Sequence, residues 1–199
     1  QLKEHRLSHP CLLRIATDVV RHKATDEYEA VRNRYSLYAI FVRKALEKFD
    51  ADVQAKVLGV LSSVAWSMAK ARNWQLPIRE LRDQLARALA AGDDAKGATP
   101  HSAQVDAILM AIPARCEDLH HDGSMWGFWH KTVAEFLVAQ RLWKQQQEEG
   151  GVEPDEAFLK EHPTVREFLA LAAKEATTLH IEAFNEDHYE HIQADPPPA

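Results

Sequence analysis

Apolar residues recur at three- and four-residue spacing along most of this chain, and glycine is scarce, at 7 in 199 residues. Ala and Leu dominate while β-branched runs are few, so amphipathic helices are the main element such a chain can build. A first helix is expected from Ser8-His9-Pro10, where Pro suits an opening turn, with Leu12, Leu13, Ile15, Ala16, Val19 and Val20 on one face. A second spans about Asn33 to Phe49, with Leu37, Tyr38, Ile40, Phe41, Ala45 and Leu46 inward. A third spans about Val53 to Arg72, carrying Val57, Val60, Leu61, Val64, Ala65 and Met68. Pro77 opens a fourth, with Ile78, Leu81, Leu85, Ala88 and Leu89 on one face. Gly92 to Pro100 reads as a flexible loop. A fifth helix is expected from about Ser102 to Cys116, terminated or kinked by Pro113.

One place departs from helical spacing. Leu119, the turn residues His121 to Ser124, and Trp126 to Trp129 suit a short hairpin, because Asp122-Gly123 favours a tight turn. Thr132 to Gln147 then forms a strong helix lined by Val133, Phe136, Leu137, Ala139 and Leu142, broken by Gly150-Gly151. Further helices are expected near Pro154 to Lys160 and Thr164 to Phe184. Three helices, a hairpin and a helix describe a winged-helix unit over residues 53–130. The fold class is therefore mainly α: a helical domain (1–50), a winged-helix-like domain with a short β-hairpin (51–147), and an acidic helical C-terminal extension (148–199).

Composition narrows the function classes. With 46% hydrophobic and 27% charged residues, the chain is neither disordered nor fibrous. The net charge of −6 disfavours phosphate backbones and anionic lipid as partners. That charge is uneven: residues 1–147 hold 21 basic against 17 acidic side chains, and residues 148–199 hold 3 against 13. Cys11 and Cys116 make no disulfide framework and suit a reducing compartment. No run approaches the ~18 apolar residues of a membrane span, and the polar N-terminus is not a signal peptide. The expected location is cytoplasmic, with no membrane partner.

The segment from Gly127 to Leu142, GFWHKTVAEFLVAQRL, carries the most identity. It resembles the end of the winged-helix domain in NACHT-type STAND NTPases, whose pattern runs aromatic-x-His-x-Ser/Thr-aromatic-x-Glu-aromatic, then Ala and Leu. Phe128, His130, Thr132, Glu135, Phe136, Ala139 and Leu142 match in order, while Val133 and Ala134 stand where the family usually has an aromatic residue and Gln. Leu7 to Leu13 resembles the family's Leu-x-Asn-Pro-x-x-Leu start of the helical domain, with His9 in place of Asn. Arg34 and Tyr35 to Val42 resemble its Arg-x-x-Leu-Tyr-x-x-Phe-Val element. Leu61, Ala65 and Met68 follow its first winged-helix helix. The resemblance covers residues 7–143.

The resemblance implies a nucleotide switch. In such proteins a P-loop core holds ATP or ADP with Mg²⁺, the helical and winged-helix domains close over it, and exchange or sensing opens the molecule to oligomerise in intracellular signalling or defence. Carried to this sequence, Pro10 is the adenine-side candidate and His130 the phosphate-side candidate. A His near its ordinary value of about 6.5 can donate to phosphate, and it favours ADP only if it contacts ADP in one conformation. Glu135, in the first turns of its helix, is expected to suit the helix dipole.

No Gly-x-x-x-x-Gly-Lys-Ser/Thr occurs in the chain, and no strand ending in paired carboxylates is evident for Mg²⁺. The chain alone is therefore not expected to be an enzyme or to hold a cofactor. With Gln1 rather than Met at its start, it is expected to be an excised piece or split subunit whose partner is an upstream NTPase domain. Competing readings are blander. Phe128, Trp126 and Trp129 suit core or wing packing. Cys116, His120, His121 and His130 have no standard zinc spacing, and His188 and His191 suit a solvated acidic tail. No Gly-x-Ser-x-Gly elbow marks a nucleophile. Arg72, Arg79, Arg82 and Arg87 form a basic edge that a DNA-binding winged helix would use, although nucleic acid remains the lesser partner. A ligand-free helical scaffold is the third reading.

Overall fold

A computed structural model describes residues 33–91, 102–148 and 154–176 of the chain. Helix α1 (Arg34–Leu46) begins where Asn33 accepts the backbone N–H groups of Tyr35 and Ser36 at 2.7 and 3.1 Å. Ser36 returns the bond, its Oγ accepting the Asn33 N–H at 3.0 Å, so both orphan ends of the first turn are satisfied. Helix α2 (Ala51–Ala71) starts at Asp50, which accepts the Val53 N–H at 2.9 Å. It ends at Arg72, whose φ of 54° is left-handed. Strand β1 (Leu76–Pro77) follows, then helix α3 (Ile78–Ala90), which buries Ile78, Leu81, Leu85 and Leu89.

Helix α4 (Ser102–Ala111) buries Val105, Ile108 and Leu109. It stops before Pro113, so the expected continuation to Cys116 is wrong: Ala114–Cys116 is strand β2. Pro113 cannot donate to a helix, and its carbonyl instead accepts the Trp129 N–H at 3.0 Å, which ties the strand pair at its base. Strand β3 (Met125–Phe128) pairs antiparallel with both others, giving the order β1-β3-β2. Leu76 faces Trp126 across one ladder and Cys116 faces Trp126 across the other. Pro77, which lacks an N–H, is tolerated because β1 is an edge strand. The hairpin turn is at Asp122-Gly123 as expected, closed by Ser124 N–H donating to His121 O at 2.8 Å. The first arm of the hairpin is 114–116, and Leu119 lies in the connection instead.

Helix α5 (Lys131–Glu148) leaves the sheet and is buried on all sides from Thr132 to Ala139. That is the signature of a central helix rather than a surface one. It packs along α2, and Arg141 donates to Ser63 Oγ at 2.7 Å across that pair. Helix order α2-β1-α3-α4-β2-β3-α5 is the winged-helix order, so the chain is mainly α with one small three-stranded sheet.

Two further helices follow α5 among the described residues. α6 (Glu156–Glu161) is capped by Asp155, and α7 runs over 163–176. One apolar cluster takes Leu37, Tyr38 and Leu46 from α1, Leu61 and Val64 from α2, Phe136 from α5 and Phe168 from α7. Among the described residues, no helix is long and apolar enough to cross a membrane. Pro10, His9, Cys11, the 92–100 loop, His188 and His191 lie outside the described residues, as does the extent of α7 beyond 176.

Candidate functional site

His130 stands between β3 and α5, half-buried, and it is the N-cap of α5. Its carbonyl accepts the Val133 N–H at 2.9 Å, the first bond of the helix. Its ring Nδ1 accepts the Thr132 backbone N–H at 3.2 Å and lies 2.8 Å from Thr132 Oγ1. An N–H can only donate, so this hydrogen-bond network assigns Nδ1 the lone pair and Nε2 the hydrogen. An imidazole thus does here what Ser, Thr or Asp does at most helix starts. The cap fixes the ring at the positive end of the α5 dipole, where negative charge is favoured.

Lys131 is the first residue of α5. Its Nζ lies 4.9 Å from the Trp74 ring centroid and 3.2 Å from Glu135 Oε1. Glu135 is buried, at 4% exposure, so Lys131 rather than the dipole alone holds its charge. Trp74 closes the same corner from the other side: its carbonyl oxygen would sit 2.7 Å from a Cβ added at Gly127, so only glycine fits β3 at this point.

A second histidine enters this corner that spacing does not single out. His162 lies between α6 and α7, only 5% exposed. Its ring is 4.4 Å from that of Phe158 and meets Trp74 edge-on at 6.1 Å. Burial, with the Lys131 charge behind it, holds its pKa below the ordinary His value, against the opposing pull of Glu135 and Glu161. The sequence signal for it is faint: a His immediately before Pro163, which reads as a helix boundary.

The other sequence candidates disperse. Trp126 and Phe128 are buried in the core, as packing predicts. Among the described residues, no group of three or more His, Cys, Asp or Glu side chains converges on a place that could hold a metal ion. Cys116 Sγ donates to the Asp118 carbonyl at 3.4 Å. The basic edge is largely consumed internally. Arg72 pairs with Glu161, Arg82 pairs with Asp106 and donates to the Leu119 carbonyl, and Arg87 Nε donates to the Asp83 carbonyl at 3.0 Å.

No family model matches the chain, and no curated protein and no solved structure matches it.

Proposed function

We propose that this chain is the regulatory portion, helical domain plus winged helix, of a NACHT-like STAND NTPase, and that it gates nucleotide state and oligomerisation in intracellular sensing or defence signalling. The observation that carries the reading is His130. Its Nδ1 is engaged by Thr132, so the ring donates through Nε2, from the dipole-positive start of a helix that is itself locked into the core. A donor so placed suits a phosphate oxygen. The order of the four motifs along the sequence supports the same reading.

The mechanism follows from differential contact. The NTPase core with its ATP or ADP and Mg²⁺ belongs to the upstream partner domain, and any hydrolysis occurs there. His130 would donate to the phosphates of ADP in the closed arrangement only, and Pro10, which lies outside the described residues, would be the adenine-side contact. A contact made in one conformation shifts the population toward it by that contact's free energy, and a contact made equally in both shifts nothing. Loss of the contact opens the molecule and frees it to self-associate. The reading as a DNA-binding regulator gains no such support. Helix α4, the groove helix of a DNA-binding winged helix, reads SAQVDAILMA with no Lys or Arg, and its Asp106 is paired with Arg82.

The test is the nucleotide content and size of the parent protein that joins this chain to its NTPase core. Wild-type protein is expected to purify as a monomer with ADP, and His130→Ala with less ADP and a larger assembly. Equal ADP and equal size in the two proteins would remove His130 from this role.

A further inference from the structure

His162 occupies the corner where α6 and α7 meet the body, and nucleotide gating does not use it. Its backbone closes both helices: its N–H donates to Phe158 O at 3.0 Å, and its carbonyl accepts from Val165 and Arg166 at 3.0 and 3.3 Å. Its ring lies beside the Ala69 backbone at the end of α2, which pulls its pKa up against the larger effect of burial. The other ring nitrogen, Nδ1, is buried with no hydrogen-bond partner. The aromatic walls are Phe158 of α6, itself 4.8 Å from Trp66 of α2, and Trp74.

A neutral imidazole suits this pocket, because it can leave the buried Nδ1 as a bare lone pair. The imidazolium does not, since its second N–H would be buried without an acceptor and its charge would face Lys131. The nearby carboxylates are already engaged: Glu135 with Lys131 on α5, and Glu161 with Arg72 at the end of α2. On the far side, Arg166 of α7 pairs with Glu156 of α6 and so adds no unpaired anion. Proton uptake is therefore disfavoured while the ring is seated and easier once it leaves. The attachment of α6 is slight enough for that: six residues, with Leu159 its buried side chain. α7 is anchored separately, by Phe168 against Tyr38 and Phe136 and by Arg34 against Glu167.

We propose that His162 is an acid-released clasp: neutral, it pins α6 to the end of α2 and the Trp74 corner, and on taking a proton from solvent it lets α6 lift away while α7 stays docked. The clasp stands independently of the nucleotide reading.

Amide hydrogen exchange of the chain at about pH 7.5 and pH 5.0, corrected for intrinsic rates, tests it. Protection of 156–162 in wild type is expected to fall several-fold at the lower pH, with a ceiling of about 30-fold set by the ordinary His value, while 133–139 keeps its protection. Two non-titrating replacements are compared at both pH values. His162→Gln keeps a polar side chain of similar reach, and His162→Phe keeps the aromatic contacts. Both are expected to show the same protection at the two pH values. Unchanged wild-type protection, or an equal acid loss in either variant, overturns the clasp.

Discussion

The ring of Phe168 on α7 meets that of Phe136 on α5 edge-on, with centroids 5.6 Å apart and planes at 79°. Both residues are fully buried, and Tyr38 of α1 packs on each of them, 5.2 Å from Phe168 and 5.7 Å from Phe136. This three-ring cluster joins a helix before the winged helix, the last helix of it, and the helix after it. Truncating one ring leaves a cavity that the other two cannot fill, because each is fixed by a different helix. Phe168→Ala is expected to lower the unfolding free energy by about 3–5 kcal/mol, read from urea denaturation. A loss under about 1 kcal/mol would mean that α7 is not part of the cooperative body.

Gly127 is the position where β3 passes the Trp74 carbonyl. A Cβ there would lie 2.7 Å from that oxygen, and a backbone atom cannot swing aside as a side chain can. Gly127→Ala is expected to cost about 1–3 kcal/mol in the same denaturation experiment, despite being the smallest possible substitution. Gly59, in the middle of α2 with nothing within 4 Å of its Cβ position, is the control. There Ala should stabilise by about 0.5–1 kcal/mol through helix propensity.

Arg72 closes α2 with φ at 54°, a conformation in which glycine is strain-free and a side chain is not. Its ion pair with Glu161 lies in solvent, where such pairs contribute about 0–1 kcal/mol. Arg72→Gly is therefore expected to be neutral or stabilising by up to about 1 kcal/mol, and Arg72→Val destabilising, with thermal midpoints as the readout. A clear loss in the glycine variant would show that the ion pair outweighs the cap.

The pH dependence of stability follows from His162. Its folded-state pKa is lowered from about 6.5, chiefly by burial. Above that ordinary value both folded and unfolded chains carry it neutral, and its contribution is whole. As pH falls below it, the unfolded chain binds the proton first, so stability drops until the lowered folded value is reached. Urea midpoints are expected to decline between about pH 7 and pH 5 in wild type, and to decline less in His162→Gln. Parallel declines would assign the effect to other groups.

Most of the helical scaffold is legible in the sequence because its periodicity is long and part of its punctuation explicit: Pro77 starts α3 and Asp122-Gly123 turns, whereas the Asn33 and Asp50 caps emerge only in the structure. The strands are not, for a physical reason. β1 has two residues and β2 has three, too few for alternation to show, and both exist because β3 lies between them to complete their hydrogen bonds. That is why 114–116 reads as the tail of a helix. Trp126, Phe136 and the apolar face of α3 announce themselves as core by size and spacing. The corner around His162 does not, since it is assembled from Ala69, Trp74, Lys131 and Phe158, which only tertiary packing brings together. Glu135 shows the same limit: its place in the first turns of α5 is readable, but its burial against Lys131 is not.

The dissociation rate of ADP from the parent protein reads the proposed His130 contact. A fluorescent ADP analogue bound to the parent protein is chased with excess unlabelled ADP, in wild type and in His130→Ala. A charge-assisted bond to phosphate contributes about 1.5–3 kcal/mol, so dissociation from His130→Ala is expected to be roughly ten- to a hundredfold faster. Equal rates in the two proteins would contradict the gate and leave His130 as the cap of α5 alone.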